Sequence, residues 1–347
     1  MTRMARNTKA LIVLTLVALA TGVQIGNANA EDASALLRAS VDAPAHISYA
    51  GQVENVRFGN TGSEAAIYRI EHRAPNLTRR TYLAPESLYG DWTITRAAQS
   101  YSVDIKNRKV IVASNAAVDD QVAMNDNFGL LRSNYLALPG PSETVAGRPT
   151  AEIALMNKYT GQIIMRVWID KQTHLALEKE SYAANGSVLS HMRFEQVSYE
   201  NDFPAAIFDV PHLAGYAIVP GIGHGALSRD FAGIVRTVGF DARGPKYLPE
   251  GFVPVRGDVS DVKGIPTLHV LYSDGIRTLS LFENNRGAAV NLSGYKVQTT
   301  RFENHDAQYV QDGPTTLLTW AEAGLHFALV GELSRAELAR IAASVIL

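Results

Sequence analysis

Side chains able to do chemistry are present, but their spacing does not assemble them. The nine histidines stand at positions 46, 72, 174, 191, 212, 224, 269, 305 and 326. None forms a His-x-x-x-His or His-Glu-x-x-His pair, the helical spacing by which two imidazoles bind one zinc. His305-Asp306 and His212 near Asp209 offer ligand types, yet such isolated pairs read as strand or loop surface. There is no Gly-x-Ser-x-Gly elbow, so no serine held on a nucleophile turn is in view. Gly221–Gly225 is not followed by Lys-Ser/Thr. It reads as a linker rather than a phosphate cradle. The carboxylate pairs Asp119-Asp120 and Glu178/Glu180 are of the type used in acid–base work. The latter, two apart and opposite Leu177, describe a solvated strand face. Arg79-Arg80 and Arg69/Arg73 read as exposed strand charges. With no cysteine, disulfides, thiol catalysis, cysteine zinc sites and iron–sulfur clusters are out. No catalytic residue, metal ligand or cofactor is named on these grounds, and the expectation is that the chain is not an enzyme.

What remains is apolar surface. The first half is rich in large aromatics, and a strongly curved sheet with a helical segment against it would leave an apolar cleft. Such a cleft takes an acyl chain or an apolar peptide, each buried methylene contributing about 0.8 kcal/mol. Phe58, Tyr68, Trp92, Phe128, Leu131, Met165 and Trp168 are its candidate lining, chosen for size and expected facing. Cavity and core are lined by the same residue types, so the sequence alone leaves both readings open. Trp168 is expected to point away from Met165, because strand positions of opposite parity face opposite ways.

The elements that would position these residues follow from composition and punctuation. The 347 residues suit two domains, and 46% hydrophobic with 19% charged residues is ordinary for a globular chain. Arg3, Arg6 and Lys9 precede an apolar run from Ala10 to Ala20, and Ala28-Asn29-Ala30 matches a cleavage pattern. This is a secretory signal peptide cut after Ala30. Its removal takes three cationic charges, leaving 317 residues with a net charge of −5. An acidic exported chain without a basic run is a poor nucleic-acid ligand. No nucleic-acid partner is expected.

Ala33–Val41 reads as a helix. From His46 onward, short runs of Val, Ile, Thr, Tyr and Phe separated by turns indicate strands. Residues 116–138 break that rhythm and suit a helix, stopped by Leu138-Pro139-Gly140-Pro141. In 162–170, Ile163, Met165, Val167 and Ile169 form one apolar face, with Ile164, Arg166, Trp168 and Asp170 opposite. Asn185-Gly186 and Asp274-Gly275 are hairpin turns. The segment 226–240 is apolar but without clear period. Ser334 with Glu337 is a capping box opening a final helix whose stripe is Leu338, Ile341, Ala342 and Val345. The expected fold class is α+β. It combines a strongly curved antiparallel sheet with helices and a smaller α+β unit. Boundaries fall at 1–30 (signal peptide), 31–212 (first unit), 213–245 (linker) and 246–347 (second unit).

This layout resembles the RseB/MucB family. The resemblance rests on Tyr247-Leu-Pro-Glu-Gly-Phe252, Leu271-Tyr-Ser-Asp-Gly-Ile276 and Val330-Gly-Glu-Leu333 in the second unit. In the first unit it rests on Val145-Ala-Gly-Arg148, Val167-Trp-Ile-Asp170 and the Tyr182–Phe194 stretch around the Asn-Gly hairpin. It implies a half-barrel similar to the lipoprotein carriers LolA and LolB, followed by a smaller C-terminal domain. It also implies a periplasmic negative regulator of an envelope-stress sigma factor. Such a regulator binds the periplasmic part of a membrane-anchored anti-sigma factor, shields it from proteolysis, and is displaced by lipid or lipopolysaccharide. A periplasmic lipid or lipoprotein carrier is the alternative, and a hydrolase with a hidden site a distant third. Homo-oligomerisation is left open.

Overall fold

In the computed structural model the described residues are 24–59, 62–96, 99–114, 128–199, 203–211, 213–220, 228–262, 264–287, 292 and 295–346. The basic and apolar start of the chain (residues 1–23), Asp119-Asp120, His212 and Gly221–Gly225 lie outside them. Two antiparallel sheets dominate, with few helices, as the α+β expectation requires.

The first sheet holds twelve strands. β1 (Tyr49–Gly59), β2 (Gly62–Arg73), β3 (Leu77–Ala84), β4 (Trp92–Arg96), β5 (Gln99–Asp104) and β6 (Lys109–Ser114) form one meander. β7 (Tyr135–Val145), β8 (Arg148–Asn157), β9 (Ile163–Asp170), β10 (Ala176–Tyr182) and β11 (Val188–Ser198) form a second. β1 pairs with β11 and joins the two. β12 (Ala217–Pro220) adds in parallel beside β6. The sheet is strongly curved: β7, at its edge, touches β11 although three strands separate them in the ladder.

Helix α1 (Gln24–Asp42) lies against β7 and β9. Its Ala33 and Leu37 pack with Val167 and Ile169 of β9, Ile153 and Leu155 of β8, and Leu131 of α2 (Phe128–Asn134). Full burial of a Leu such as Leu37 or Leu131 stabilises by about 2 kcal/mol. The expected apolar face of β9 is therefore the one the helices cover, but Ile164, expected opposite, is buried in the same cluster, because the register shifts where Met156 pairs with Ile163 and Leu155 with Met165. Its opposite face is not simply solvated. Asp170, fully buried, accepts from Arg148 Nε at 2.8 Å, Tyr199 OH at 2.8 Å and Gln172 N at 2.8 Å. Burial opposes its charge, but these donors outweigh burial and lower its pKa. The pair fixes the β8 start to the β9 end.

Three expectations are corrected. The helix expected over 116–138 is helical only from Phe128 to Asn134 among the described residues. Lys158 Nζ ends it by donating to the Arg132 and Ser133 carbonyls at 2.6 and 3.0 Å. The chain then becomes β7, with Pro139 and Pro141 inside it. An edge strand tolerates missing donors, and the register shifts between Pro139 and Ser142. Second, Glu178 is 6% exposed rather than solvated, because the neighbouring strands carry its partners. Third, Arg79 and Arg80 are half-buried, and Arg80 Nε is buried without an acceptor.

The second sheet runs β13 (Val253–Val262), β14 (Ile265–Ser273), β15 (Thr278–Asn284), β19 (Leu325–Gly331), β18 (Thr315–Glu322), β17 (His305–Asp312), β16 (Gln298–Phe302). β12 and β13 had no clear sequence signal: β12 is four residues long, and Pro254, Gly257, Asp258 and Asp261 dilute β13. Helix α3 (Phe231–Val238) resolves the ambiguous apolar stretch. Asp230 caps it by accepting from Gly233 N at 2.9 Å, and Gly239 closes it in the left-handed region. Helix α4 (Arg335–Ile346) buries the expected stripe against Trp320, Phe327 and Leu329. Ser334 and Glu337 cap it reciprocally, Ser334 N donating to Glu337 Oε2 at 3.1 Å and Glu337 N to Ser334 Oγ at 3.2 Å. No helix among the described residues is long and apolar enough to cross a membrane.

Glu283 of β15 is fully buried and accepts from Arg243 N through both oxygens, at 3.1 and 3.0 Å. Burial pushes its pKa up to about 7, although the Arg243 N–H group and charge pull it down. The folded value exceeds the ordinary 4.5, so the folded state holds this proton more tightly than the unfolded one. The stabilising contribution is complete below that ordinary value and is lost as pH rises through about 7. Glu283→Gln should therefore flatten the fall of melting temperature between about pH 5 and pH 8. Equal slopes in both proteins would rule this out.

Candidate functional site

The two sheets meet through a hairpin turn. Asp274-Gly275 joins β14 to β15 and projects onto the end of α2. Gly275 sits at φ +101°, and a Cβ there would stand 2.4 Å from Leu131 N and 2.6 Å from its Cα. Only glycine allows that approach. Asp274 is fully buried. Its Oδ2 accepts from Tyr135 OH at 2.6 Å and Arg277 Nε at 2.9 Å, and its Oδ1 accepts from Arg277 N at 2.8 Å. Burial, reinforced by the Asp274 charge, holds the Tyr135 phenol protonated far above its ordinary range. The phenol therefore stays a donor throughout the physiological pH range.

Asn134 reads both loops of the second unit. Its Nδ2 donates to the Asp274 carbonyl at 2.8 Å and to the Gly251 carbonyl at 2.9 Å. Its Oδ1 accepts from Tyr159 OH at 3.0 Å. Ile276 completes the joint by packing into the cluster around Leu131. Across the molecule a lighter contact closes the other side. Arg57 Nη2 reaches Thr315 Oγ1 at 3.4 Å, and Gly59 lies against Gly313.

Between these contacts lies a cavity of about 560 Å³. The first unit supplies Ile164, Met165, Tyr182 and the Ala183–Asn185 turn; the second supplies Ile276, Gln298, Tyr309 and Gln311. Charged groups ring it: Arg277, Lys296 and Arg335 against Glu332 and Glu337. A second cavity of about 200 Å³, lined by Tyr159, Tyr247 and Pro249, shares Ile164, Ala184, Arg277 and Glu337 with the first. Mixed apolar and charged walls suit a polypeptide segment or an amphiphile.

The seven candidate lining residues are distributed. Phe128, Leu131 and Met165 share the cluster beneath α1, and Met165 also lines the larger cavity. The Arg38 guanidinium lies 5.2 Å over the Phe128 ring. Tyr68 and Trp168 belong to a second cluster with Phe194 and Leu177. Trp92 sits in a third with Ile94 and Val103. Phe58 is 39% exposed, beside Gly59 at the end of β1. Trp168 and Met165 belong to separate clusters, on opposite strand faces as parity predicts. Sequence reasoning did not find Asn134, Tyr135, Gly251 and Arg277. Asp274-Gly275 was visible as a turn, but nothing in the sequence said what it would dock against.

Tyr135→Phe removes a donor from a buried carboxylate and should lower the unfolding free energy by about 1–3 kcal/mol. Gly275→Val drives a side chain into the Leu131 backbone and should part the two units, read as a larger radius of gyration by small-angle scattering. An unchanged radius would show that the turn does not hold them together.

Comparison with known proteins agrees with this architecture. The family described as the MucB/RseB N-terminal domain matches residues 32–211, and a Domain of unknown function (DUF4367) matches residues 243–345. No curated protein sequence gives a significant match. Among solved structures, a complex of Pseudomonas aeruginosa MucA and MucB is 18% identical, with a TM-score of 0.59. The match covers 90% of this chain and 97% of that one. A crystal structure of MucB in complex with MucA(peri) is 19% identical, with a TM-score of 0.57, covering 90% and 98%. A third, of MucB, is 16% identical, with a TM-score of 0.52 and coverage of 90% and 97%. These likenesses show that the fold is shared across both units. With the first unit matched over its length by the family's own domain, the chain belongs to the MucB/RseB family.

Proposed function

We propose that this chain is a periplasmic negative regulator of an envelope-stress sigma factor. It holds the periplasmic region of a membrane-anchored anti-sigma factor and keeps that region from a protease. We place the held segment in the cavity between the two units. The observation that carries this reading is the cavity of about 560 Å³, walled by both units and ringed by charges of both signs. Family membership supports it, as does likeness along 90% of the chain to MucB solved together with MucA. Of the seven large apolar residues, this reading gives two a role at the cavity. Met165 meets the ligand, and Leu131 supports the wall behind it.

The mechanism is mass action. A regulator that binds the intact partner favours the partner's protected state by RT ln(1 + [L]/Kd). A lipid or lipopolysaccharide fragment that prefers the unbound regulator reverses this, by no more than its own differential affinity.

The test uses the purified protein and the periplasmic segment of a membrane-anchored anti-sigma factor from the same organism. Binding by fluorescence anisotropy and slower cleavage of the segment are expected. Ala184 is exposed and lines both cavities. Ala184→Trp should fill the space and weaken binding at least tenfold, about 1.4 kcal/mol, with an unchanged melting temperature. Unaltered affinity in Ala184→Trp would move the site elsewhere. Absence of binding by the unaltered protein, with stoichiometric lipid seen by native mass spectrometry, would return the carrier reading.

A further inference from the structure

The second face of the β8–β11 sheet carries charges in a checkerboard. Arg166 of β9 stands opposite Glu180 of β10, and Glu180 opposite His191 of β11. In the next row Glu152 of β8 stands opposite Trp168, Trp168 opposite Glu178, and Glu178 opposite Arg193. Glu152 and Glu178 are only 4% and 6% exposed. Arg166 bonds Glu152, and Arg193 bonds Glu178. Three carboxylates thus share two guanidiniums and one imidazole in a partly desolvated place.

Glu178, Glu180 and His191 each offer a ligand atom, and the three atoms lie within 4.8 Å of one another. One edge is already short: His191 Nε2 is 2.8 Å from Glu178 Oε1. A tetrahedral zinc ion with bonds of about 2.0–2.2 Å needs its ligands slightly over 3 Å apart, so small rotamer shifts suffice. The remaining oxygens are held from behind. Glu178 Oε2 accepts from Arg193 and Glu180 Oε2 from Tyr182. Such second contacts orient metal-binding carboxylates. An independent observation points to a further ligand atom: the indole N–H of Trp168 is buried without an acceptor, on the residue opposite both Glu152 and Glu178. A water completing the coordination of a bound cation would supply that acceptor.

We infer that Glu178, Glu180 and His191 form a site for a divalent transition cation, of which Zn²⁺ is the best match to one imidazole and two carboxylates. The cation replaces the Glu178–His191 hydrogen bond and pins β10 to β11, just behind the Ala183–Asn185 turn that walls the large cavity. This assignment does not depend on the function proposed above.

Isothermal titration of Zn²⁺ into the untagged, chelator-treated protein should show a single saturable site of micromolar affinity, with Ca²⁺ and Mg²⁺ giving none. Glu180→Gln and His191→Gln should each weaken it at least tenfold. His305→Gln, which removes a different carboxylate-paired histidine, should leave it unchanged. Co²⁺ should give visible absorption of tetrahedral intensity in the unaltered protein. No saturable Zn²⁺ binding, or full affinity in both Glu180→Gln and His191→Gln, overturns the assignment. The Co²⁺ spectrum decides it independently of how the variants fold.

Discussion

A carboxylate buried at a joint controls the architecture. Asp274 lies wholly out of water, where an unpaired charge costs several kcal/mol. Its partners come from both sides of the molecule: Arg277 and backbone N–H groups from its own hairpin, Tyr135 from the first sheet. Withdrawing the second unit would strip the phenol from the carboxylate and Asn134 from two carbonyls at once. The units therefore dock at one register. The cavity between them is a consequence of that register, since each wall belongs to a different sheet.

The stretches that carry the family resemblance turn out to be joints. Arg148 closes one motif and Asp170 closes another, and the two are an ion pair at 2.8 Å. Gly251 and Asp274 each lie in a motif of the second unit, and both offer their carbonyl to Asn134. Gly251 holds φ +88° with the Asn134 side chain 2.9 Å from where a Cβ would stand. Short motifs built from Gly, Asp and Arg look weak one by one. They are constrained because buried polar groups and positive φ leave few alternatives.

The β10–β11 hairpin connects the two electrostatic features of the first unit. Its turn lines the large cavity, and its stem holds the Glu178–His191–Arg193 network. A stem whose side chains are cross-bonded keeps the turn from fraying, so wall shape and stem charge are linked through one element.

Much of this was legible in the sequence, for physical reasons. Period-two alternation marked β9 and its apolar face. Ser334 and Glu337 announced α4 through local backbone bonds, and Asn185-Gly186 and Asp274-Gly275 announced their turns through positive φ. These signals are local, so the chain carries them without its fold. Other features were out of reach. Leu138–Pro141 looked like a helix stop, because Pro139 and Pro141 are tolerated only once the strand is known to be an edge. Glu178 looked solvated, because its burial depends on Arg193 and His191 arriving from the next strand. The joint at Asp274 depends on residues more than a hundred positions apart, brought together by packing. Element type and turn position were set by neighbouring residues; which unit faces which, and what space lies between them, was decided by contacts that exist only after the chain has closed on itself.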